Sequence, residues 1–101
     1  MTPVIVSPNA EVDFFDILDR LTELAGAAVA ERYAADLHSI YERLSTFPEI
    51  GAPRPAVGSR TRIVALSPYL VIYEYLRSDG FVHIIRILDG RRNVTRRLVR
   101  E

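Results

Sequence analysis

The sequence predicts an α+β domain: an N-terminal strand, an antiparallel helix hairpin and then a three-stranded antiparallel meander, forming one small sheet that the helices cover. Two observations lead to this fold class. Apolar residues recur at three- and four-residue steps in the first half, which is typical of amphipathic helices. In the second half, β-branched and aromatic residues dominate two runs separated by Ser78-Asp79-Gly80, which suits a tight hairpin turn.

The length indicates a single domain comprising residues 1–101, because about 100 residues is close to the commonest size for one domain with one core. Hydrophobic residues make up 49% of the chain and charged residues 26%, which places it well away from the composition of disordered proteins. No apolar run approaches the roughly 18 residues that a membrane span requires, and the amino terminus lacks the features of a signal peptide. We therefore expect a cytoplasmic protein that does not enter a membrane.

The first strand is predicted at Val4–Val6, and the first helix begins at Pro8. Ser7 suits the N-cap, and Pro8 suits the first helical position, where a missing N–H costs nothing. Gly26 is expected to end this helix. The apolar period then continues from Ala27 to Phe47, which predicts a second, longer helix. Because the join at Gly26 is short, the two helices should form an antiparallel hairpin whose apolar stripes cover one side of a sheet.

The second half is predicted to begin with a shaped loop and to continue as strands. Residues 47–55 contain three Pro and one Gly, which remove donors and redirect the backbone. A short strand is predicted at Arg62–Leu66, followed by a turn at Ser67-Pro68. The two hairpin strands are predicted at Tyr69–Tyr75 and Phe81–Leu88.

Both hairpin strands are apolar on both faces. In the second of them, strict alternation places these four residues on one face: Val82, Ile84, Arg86 and Leu88. A strand that buries both faces belongs in the middle of a sheet, so something besides the two helices is expected to cover the second face, and a partner protein is the interpretation we favour. Residues 93–101 form a basic tail with few apolar side chains. This tail could form a turn of helix or a flexible end, and the sequence does not decide between the two.

Charge divides the chain into an acidic and a basic half. Residues 1–50 carry three Arg and nine acidic residues, and residues 51–101 carry ten Arg and four acidic residues, although the whole chain has no net charge. All basic residues are Arg, whose planar fork suits carboxylate, phosphate and carbonyl partners. With no Cys and only His38 and His83 as imidazoles, neither a metal site nor a cofactor is expected.

Four segments, in their order and spacing, are similar to those of a known family. They are Ser7 with Ala10–Asp13, Leu44 with Phe47–Arg54, Tyr69 with Val71 and Tyr73, and Ile85–Asn93. Together they resemble the ParE/RelE superfamily of toxins from bacterial toxin–antitoxin pairs, over essentially the whole chain. The resemblance implies a type II toxin that is neutralised by a cognate antitoxin.

The superfamily divides by mechanism rather than by fold. RelE-like members cut messenger RNA on the ribosome, and their basic residues stabilise charge while the ribose 2′-hydroxyl attacks its own phosphate. ParE-like members poison DNA gyrase through contacts that involve the end of the chain. The resemblance implies target-binding residues on the sheet and near the carboxyl end: Arg62, Arg86, Asp89, Arg91 and Arg92.

The residues of this chain favour the ParE branch. Nuclease members often carry Arg at the position of Leu70, and they tend to place Tyr or His after the basic pair, where residues 93–101 have neither. The ending Gly90-Arg91-Arg92-Asn93 is similar to the ParE type, except that Asp89 stands where His is common. The expected function is therefore gyrase inhibition with no catalytic residue. A RelE-like ribosome-dependent mRNA endonuclease and an inert binding relative are the alternatives.

The resemblance also implies how the antitoxin binds. A partly disordered segment of it is expected to wrap the toxin as a groove helix or an added strand and to contact Tyr73 and Tyr75, and a heterotetramer of toxin and antitoxin stays open. Direct sequence-specific nucleic-acid binding is not expected, because no aromatic residues are interleaved with the tail arginines to stack bases.

A purely structural role also stays open for the basic residues. Arg86 would then pair with Glu74 across the sheet. Arg91 or Arg92 would form surface ion pairs with acidic side chains in the first half of the same chain.

Overall fold

The computed structural model describes residues 1–100. Its elements, in chain order, are strand β1 (Val4–Val6), helices α1 (Pro8–Ala25) and α2 (Ala27–Thr46), strands β2 (Ala52–Pro53), β3 (Thr61–Leu66), β4 (Tyr69–Leu76) and β5 (Phe81–Asp89), and helix α3 (Arg96–Arg100). The strands form one sheet in the order β1-β5-β4-β3-β2, with β1 parallel to β5 and the other pairs antiparallel. The predicted α+β class is confirmed. Strand β2 lies within the predicted loop, where its two residues pair with β3.

Local signals position the helix hairpin. The Ser7 side chain accepts a hydrogen bond from the backbone nitrogen of Ala10 at 3.0 Å, which caps α1. The same hydroxyl donates to the carbonyl oxygen of Ile85 at 2.7 Å and so ties the cap to the sheet. Gly26 joins α1 to α2 with a φ of 91°, a left-handed conformation that favours glycine. The predicted cap and join are confirmed.

The larger core lies between the helix hairpin and one face of the sheet. Partly buried aromatic rings of Phe14, Tyr33, Tyr41 and Tyr75 pack around it. Its buried members come from α1, α2 and the strands: Ala10, Ile17, Leu37, Ile40, Leu44, Leu66, Tyr69, Val71, Tyr73, Val82, Ile84 and Ile87. No helix within residues 1–100 has the length and apolar character of a membrane span.

The chain itself covers the second face of the sheet. Val57, from the segment before β3, and Val99, from α3, are each 1% exposed and pack with Ile72, Ile85 and Leu88. Four partly buried apolar side chains join this second core: Ile63, Leu70, Val94 and Leu98. The expectation that a partner protein covers this face is therefore wrong. Of the two states left open for the tail, the structure shows a turn of helix at α3.

Strand β5 contains a bulge opposite the step from Ile72 to Tyr73. Ile84 and Ile87 both belong to the larger core, whereas Ile85 belongs to the second core. The predicted strict alternation along this strand is therefore wrong beyond Ile84, because a bulge inserts one residue and moves the following side chains to the other face.

Candidate functional site

The partly buried side chain of Arg86, on β5, links this strand to α1 and α3 through hydrogen bonds. Its guanidinium donates to both carboxylate oxygens of Asp13, with Nε–Oδ2 at 2.8 Å and Nη2–Oδ1 at 3.0 Å, and to the carbonyl oxygen of Leu98 at 3.0 Å. The Arg86 and Asp13 side chains are only 15% and 13% exposed. The predicted pairing of Arg86 with Glu74 is wrong, because Glu74 accepts a 3.3 Å bond from Arg100 instead.

Arg62 and Tyr73 hold the loop between α2 and β2. Tyr73 is fully buried. Its hydroxyl accepts a hydrogen bond from the Gly51 nitrogen at 2.9 Å and donates one to the Pro48 carbonyl oxygen at 2.8 Å. Arg62 Nη1 donates to the carbonyl oxygens of Glu49 and Gly51 at 2.9 and 2.8 Å. Burial raises the pKa of Tyr73. Tyr73, predicted to contact the antitoxin, thus presents no exposed surface to a partner in this conformation.

Asp89 and Arg91 form an ion pair at the end of β5. The Arg91 backbone nitrogen and Nε both donate to Asp89 Oδ1 at 2.9 Å, and Arg91 Nη2 donates to Oδ2 at 2.6 Å. These hydrogen bonds from Arg91 lower the pKa of Asp89 to about 2. The Arg91 side chain stays 77% exposed. Arg91 therefore pairs within the basic half and not with the acidic half.

Arg92 borders a charged cleft of about 490 Å³ between α1 and the end of β5, called here the Arg92 cleft. Charged side chains of both signs line it: Asp13, Asp16, Arg20, Arg86, Asp89 and Arg92. The exposed Arg92 side chain makes no hydrogen bond or ion pair to residues 1–100. Of the predicted target-binding residues, Arg86, Asp89 and Arg92 line the cleft, whereas Arg62 and Arg91 do not.

Tyr75 lines a second polar cavity, of about 370 Å³, called here the Glu49 cavity. The Arg77 guanidinium lies 6.0 Å from the centroid of the Tyr75 ring. The Glu49 carboxylate forms ion pairs with Arg77 and, at 3.7 Å, with Arg62. Tyr69, which lines the Arg92 cleft, lies six residues before Tyr75 on β4, so the two sites are roughly 20 Å apart at a strand rise of about 3.3 Å per residue.

An apolar groove of about 460 Å³ runs between α1 and α2. Phe15 lines it and is 68% exposed, and Phe14, Leu37 and Tyr41 are the other large aromatic and aliphatic residues of its wall. Burial, together with the negative charge of Glu11, raises the pKa of Tyr41 to about 12. Its largely apolar lining has the chemistry that the apolar face of a partner helix requires.

The imidazoles lie away from the Arg92 cleft. His38 is paired with Glu42 at 2.8 Å on the exposed face of α2, and His83 lies on β5 with its ring against Phe81. Within the part of the chain that the structure describes, no three His, Cys, Asp or Glu side chains are placed to hold a metal ion. The polar side chains that line the Arg92 cleft carry guanidinium and carboxylate groups, together with the phenol of Tyr69.

Sequence reasoning missed the Glu49 cavity and the cover formed by α3. Glu49, Arg60 and Arg77 are far apart in the chain, and only the pairing of β2, β3 and β4 brings them to one cavity. The signal for α3 was present in the adjacent apolar pair Leu98 and Val99 within an otherwise basic tail, and Val99 is the residue that packs on the sheet.

Comparison with known sequences identifies the family. A model described as the ParE toxin of the type II toxin–antitoxin system parDE matches residues 4–94. Toxin ParE3 of Caulobacter vibrioides is 36% identical over 98 residues, which cover 97% of this chain and 96% of that protein. Toxin RelE2 of the same organism is 32% identical over 92 residues, which cover 91% of this chain and 99% of that protein.

Solved structures share the fold. The chromosomal ParDE toxin–antitoxin system from P. aeruginosa matches with a TM-score of 0.74 and 22% identity, over 88% of this chain and 96% of that chain. The RelBE2 toxin–antitoxin complex from Mycobacterium tuberculosis matches with a TM-score of 0.64 and 19% identity, over 87% of this chain and 96% of that chain. With the family match across residues 4–94, these findings show that the chain belongs to the ParE toxin family of type II toxin–antitoxin systems.

Proposed function

We propose that this ParE-family toxin acts in the cytoplasm by binding DNA gyrase and blocking supercoiling, without cutting nucleic acid itself. The covered second face of the sheet is the observation that carries the proposal. Val57 and Val99, each 1% exposed, close this face over Ile72 and Ile85. The middle of the sheet on this side is therefore filled with apolar side chains, which offer no charged group to a phosphate backbone.

The state of two arginines supports the same conclusion. Catalysis of phosphate cleavage requires guanidinium groups aimed at the position where charge develops. Arg62 instead donates to two loop carbonyl groups, and Arg86 donates to the Asp13 carboxylate and to a carbonyl oxygen of α3. Both groups are committed to holding the fold, so redirecting either one toward RNA would break several hydrogen bonds.

Target contact is proposed for the Arg92 cleft. Arg92 is exposed there and has no partner among residues 1–100, so its guanidinium is available to a carboxylate or carbonyl group of the target. Asp89 orients the neighbouring Arg91 through three hydrogen bonds while leaving that side chain mostly exposed. Arg92 and Arg91 are thus the contact residues, and Asp89 is a positioning residue.

Antitoxin contact is proposed for Tyr75 and for the groove between α1 and α2. Tyr75 lines the Glu49 cavity, and Phe15 exposes 68% of its surface in the apolar groove. A wrapping antitoxin that places an amphipathic helix in the groove and an extended segment near Tyr75 would cover both. Tyr73 would contribute by holding the loop that forms part of the cavity. Light scattering of the purified complex distinguishes a simple pair from a heterotetramer.

Expression in cells that lack the antitoxin tests the target proposal. Wild-type protein should arrest growth and leave plasmid DNA relaxed. Arg92→Ala should weaken the effect about tenfold, which corresponds to about 1.4 kcal/mol of binding. Arg32→Ala, which removes an exposed arginine of α2 that lines a different cavity, is the matched control and should stay toxic. Growth arrest with normally supercoiled plasmid would contradict gyrase as the target.

Ribosome-dependent mRNA cleavage is the second candidate function, because Toxin RelE2 is 32% identical to this chain. Primer extension on a reporter transcript in the same cells distinguishes the two. Gyrase inhibition predicts intact transcripts at the time of growth arrest, whereas a nuclease predicts cuts within translated codons. Harmless expression of folded protein would instead identify an inert relative.

A further inference from the structure

The Glu49 cavity already holds one carboxylate group. Glu49 forms ion pairs with Arg77 and, at 3.7 Å, with Arg62. Arg62 is fixed in advance, because its Nη1 donates to the carbonyl oxygens of Glu49 and Gly51 at 2.9 and 2.8 Å. A guanidinium that is held in place loses little freedom when it binds an anion. The cavity is therefore arranged to accept a carboxylate, and the chain's own Glu49 shows how one binds there.

The cavity remains positively charged after Glu49 is counted. Guanidinium groups of Arg60, Arg62 and Arg77 line it with a single carboxylate, so two positive charges are left uncompensated within the lining. Arg60 is exposed and makes no hydrogen bond or ion pair to the described part of the chain. With a volume of about 370 Å³, the cavity has room for a second acidic side chain.

An apolar surface adjoins the cavity. Phe47 and Ile50 are 60% and 53% exposed, and with Pro48 they line a depression that shares Glu49 and Tyr75 with the cavity. Large apolar side chains that are exposed together and rimmed by charge mark a protein interaction surface. A peptide with both acidic and apolar side chains matches both parts, whereas an isolated phosphate would leave the apolar part exposed.

We infer that the Glu49 cavity and the adjoining Phe47–Ile50 surface bind an acidic, amphipathic segment of the antitoxin. A carboxylate of this segment pairs with Arg60, and an apolar side chain packs on Phe47. The Arg77 side chain is 75% exposed and can turn to share the incoming carboxylate with Arg60. The inference rests on the antitoxin binding proposed above and specifies its chemistry at Tyr75, which lies between the two parts.

Dissociation constants of the purified cognate antitoxin test the inference, measured by titration calorimetry at low and high salt. Arg60→Glu should weaken binding at least tenfold at low salt and less at high salt, because an exposed charge pair is screened. Phe47→Ser should weaken it about tenfold at both, because the loss is apolar. Arg32→Glu is the charge-matched control on α2 and should stay within twofold of wild type. Both test residues are exposed, and urea unfolding verifies that their variants fold.

Three other outcomes would overturn the inference, and they are distinguishable. If wild type binds the antitoxin and Arg60→Glu and Phe47→Ser bind equally well, the surface has another role while antitoxin binding stands. If Arg60→Glu keeps its antitoxin affinity but loses gyrase inhibition, the surface belongs to the target. If wild type does not bind the antitoxin at all, the antitoxin proposal fails and the inference fails with it.

Discussion

Replacing Tyr73 by Phe tests how the loop between α2 and β2 is held. The substitution keeps the buried ring and removes only the hydroxyl, which bridges the Gly51 nitrogen at 2.9 Å and the Pro48 carbonyl oxygen at 2.8 Å. Gly51 is buried, so its N–H has no access to water once the hydroxyl is gone. A Cβ at Gly51 would lie 2.6 Å from that hydroxyl, which shows how closely the loop approaches the ring.

The expected loss of stability follows from these two bonds. Leaving a buried backbone N–H unsatisfied costs about 1 to 3 kcal/mol, and the carbonyl bond adds about 0.5 to 1.5 kcal/mol. The free energy of unfolding should fall by about 2 to 4 kcal/mol, a large part of the roughly 5 to 15 kcal/mol that stabilises a domain of this size. The melting temperature should fall by about 10 °C or more, at roughly 4 to 8 °C per kcal/mol.

Urea unfolding of purified wild type and variant measures this loss. Tyr33→Phe is the matched control, because the Tyr33 hydroxyl donates a single 2.8 Å bond to the Ser67 carbonyl oxygen at an exposed position. Its removal should cost under about 1 kcal/mol. A Tyr73→Phe variant that is no less stable than Tyr33→Phe would show that the hydroxyl does not hold the loop. Because the loop carries Phe47 and Glu49, Tyr73→Phe should also weaken antitoxin binding.

Three further predictions concern charged and titrating groups. Arg86→Ala leaves the partly buried Asp13 carboxylate without its guanidinium and should cost about 3 kcal/mol in urea unfolding, the lower end of what breaking a fully buried pair costs, whereas a loss below about 1 kcal/mol would contradict a structural role. Arg91→Ala should raise the pKa of Asp89 from about 2 toward its ordinary value near 4, as followed by carboxyl NMR. In wild type the Asp89–Arg91 pair stabilises the fold above a pH of about 4, and this contribution is lost as the pH falls through about 2. An unchanged pKa of Asp89 in Arg91→Ala would exclude the pairing. The pKa of Tyr41 is about 12, so its protonated form stabilises the fold below the unfolded pKa of about 10, and that stability should be lost between pH of about 10 and 12. Phenolate absorbance of folded protein that titrates wholly near pH 10 would contradict this.

The parts of the fold that carry local signals were predictable from the sequence. The cap at Ser7 and the turn at Gly26 depend on the conformations of a few neighbouring residues, and the structure confirms both. The bulge in β5 has no local signal, because strict alternation and a one-residue insertion fit the same apolar run. The cover on the second face comes from Val57 and from apolar side chains of the tail, chiefly Val99, and their effect is visible only where these segments meet the sheet.

The candidate site was less predictable, because its residues act through distant partners. Arg86 was expected to pair with Glu74 on the neighbouring strand, yet it binds Asp13, which lies 73 residues earlier in the chain. Arg91 was expected to pair with the acidic half of the chain, yet it pairs with Asp89, only two residues away. The partners of these arginines therefore required the tertiary structure.

Supercoiling of relaxed plasmid by purified gyrase and ATP, with increasing amounts of this protein, tests whether the protein inhibits gyrase. We expect supercoiling to be lost as the toxin is added and to be restored by the cognate antitoxin, and we expect Arg92→Ala to inhibit about tenfold less well than wild type and Arg32→Ala. Full supercoiling by an active gyrase in the presence of excess folded toxin would contradict the claim.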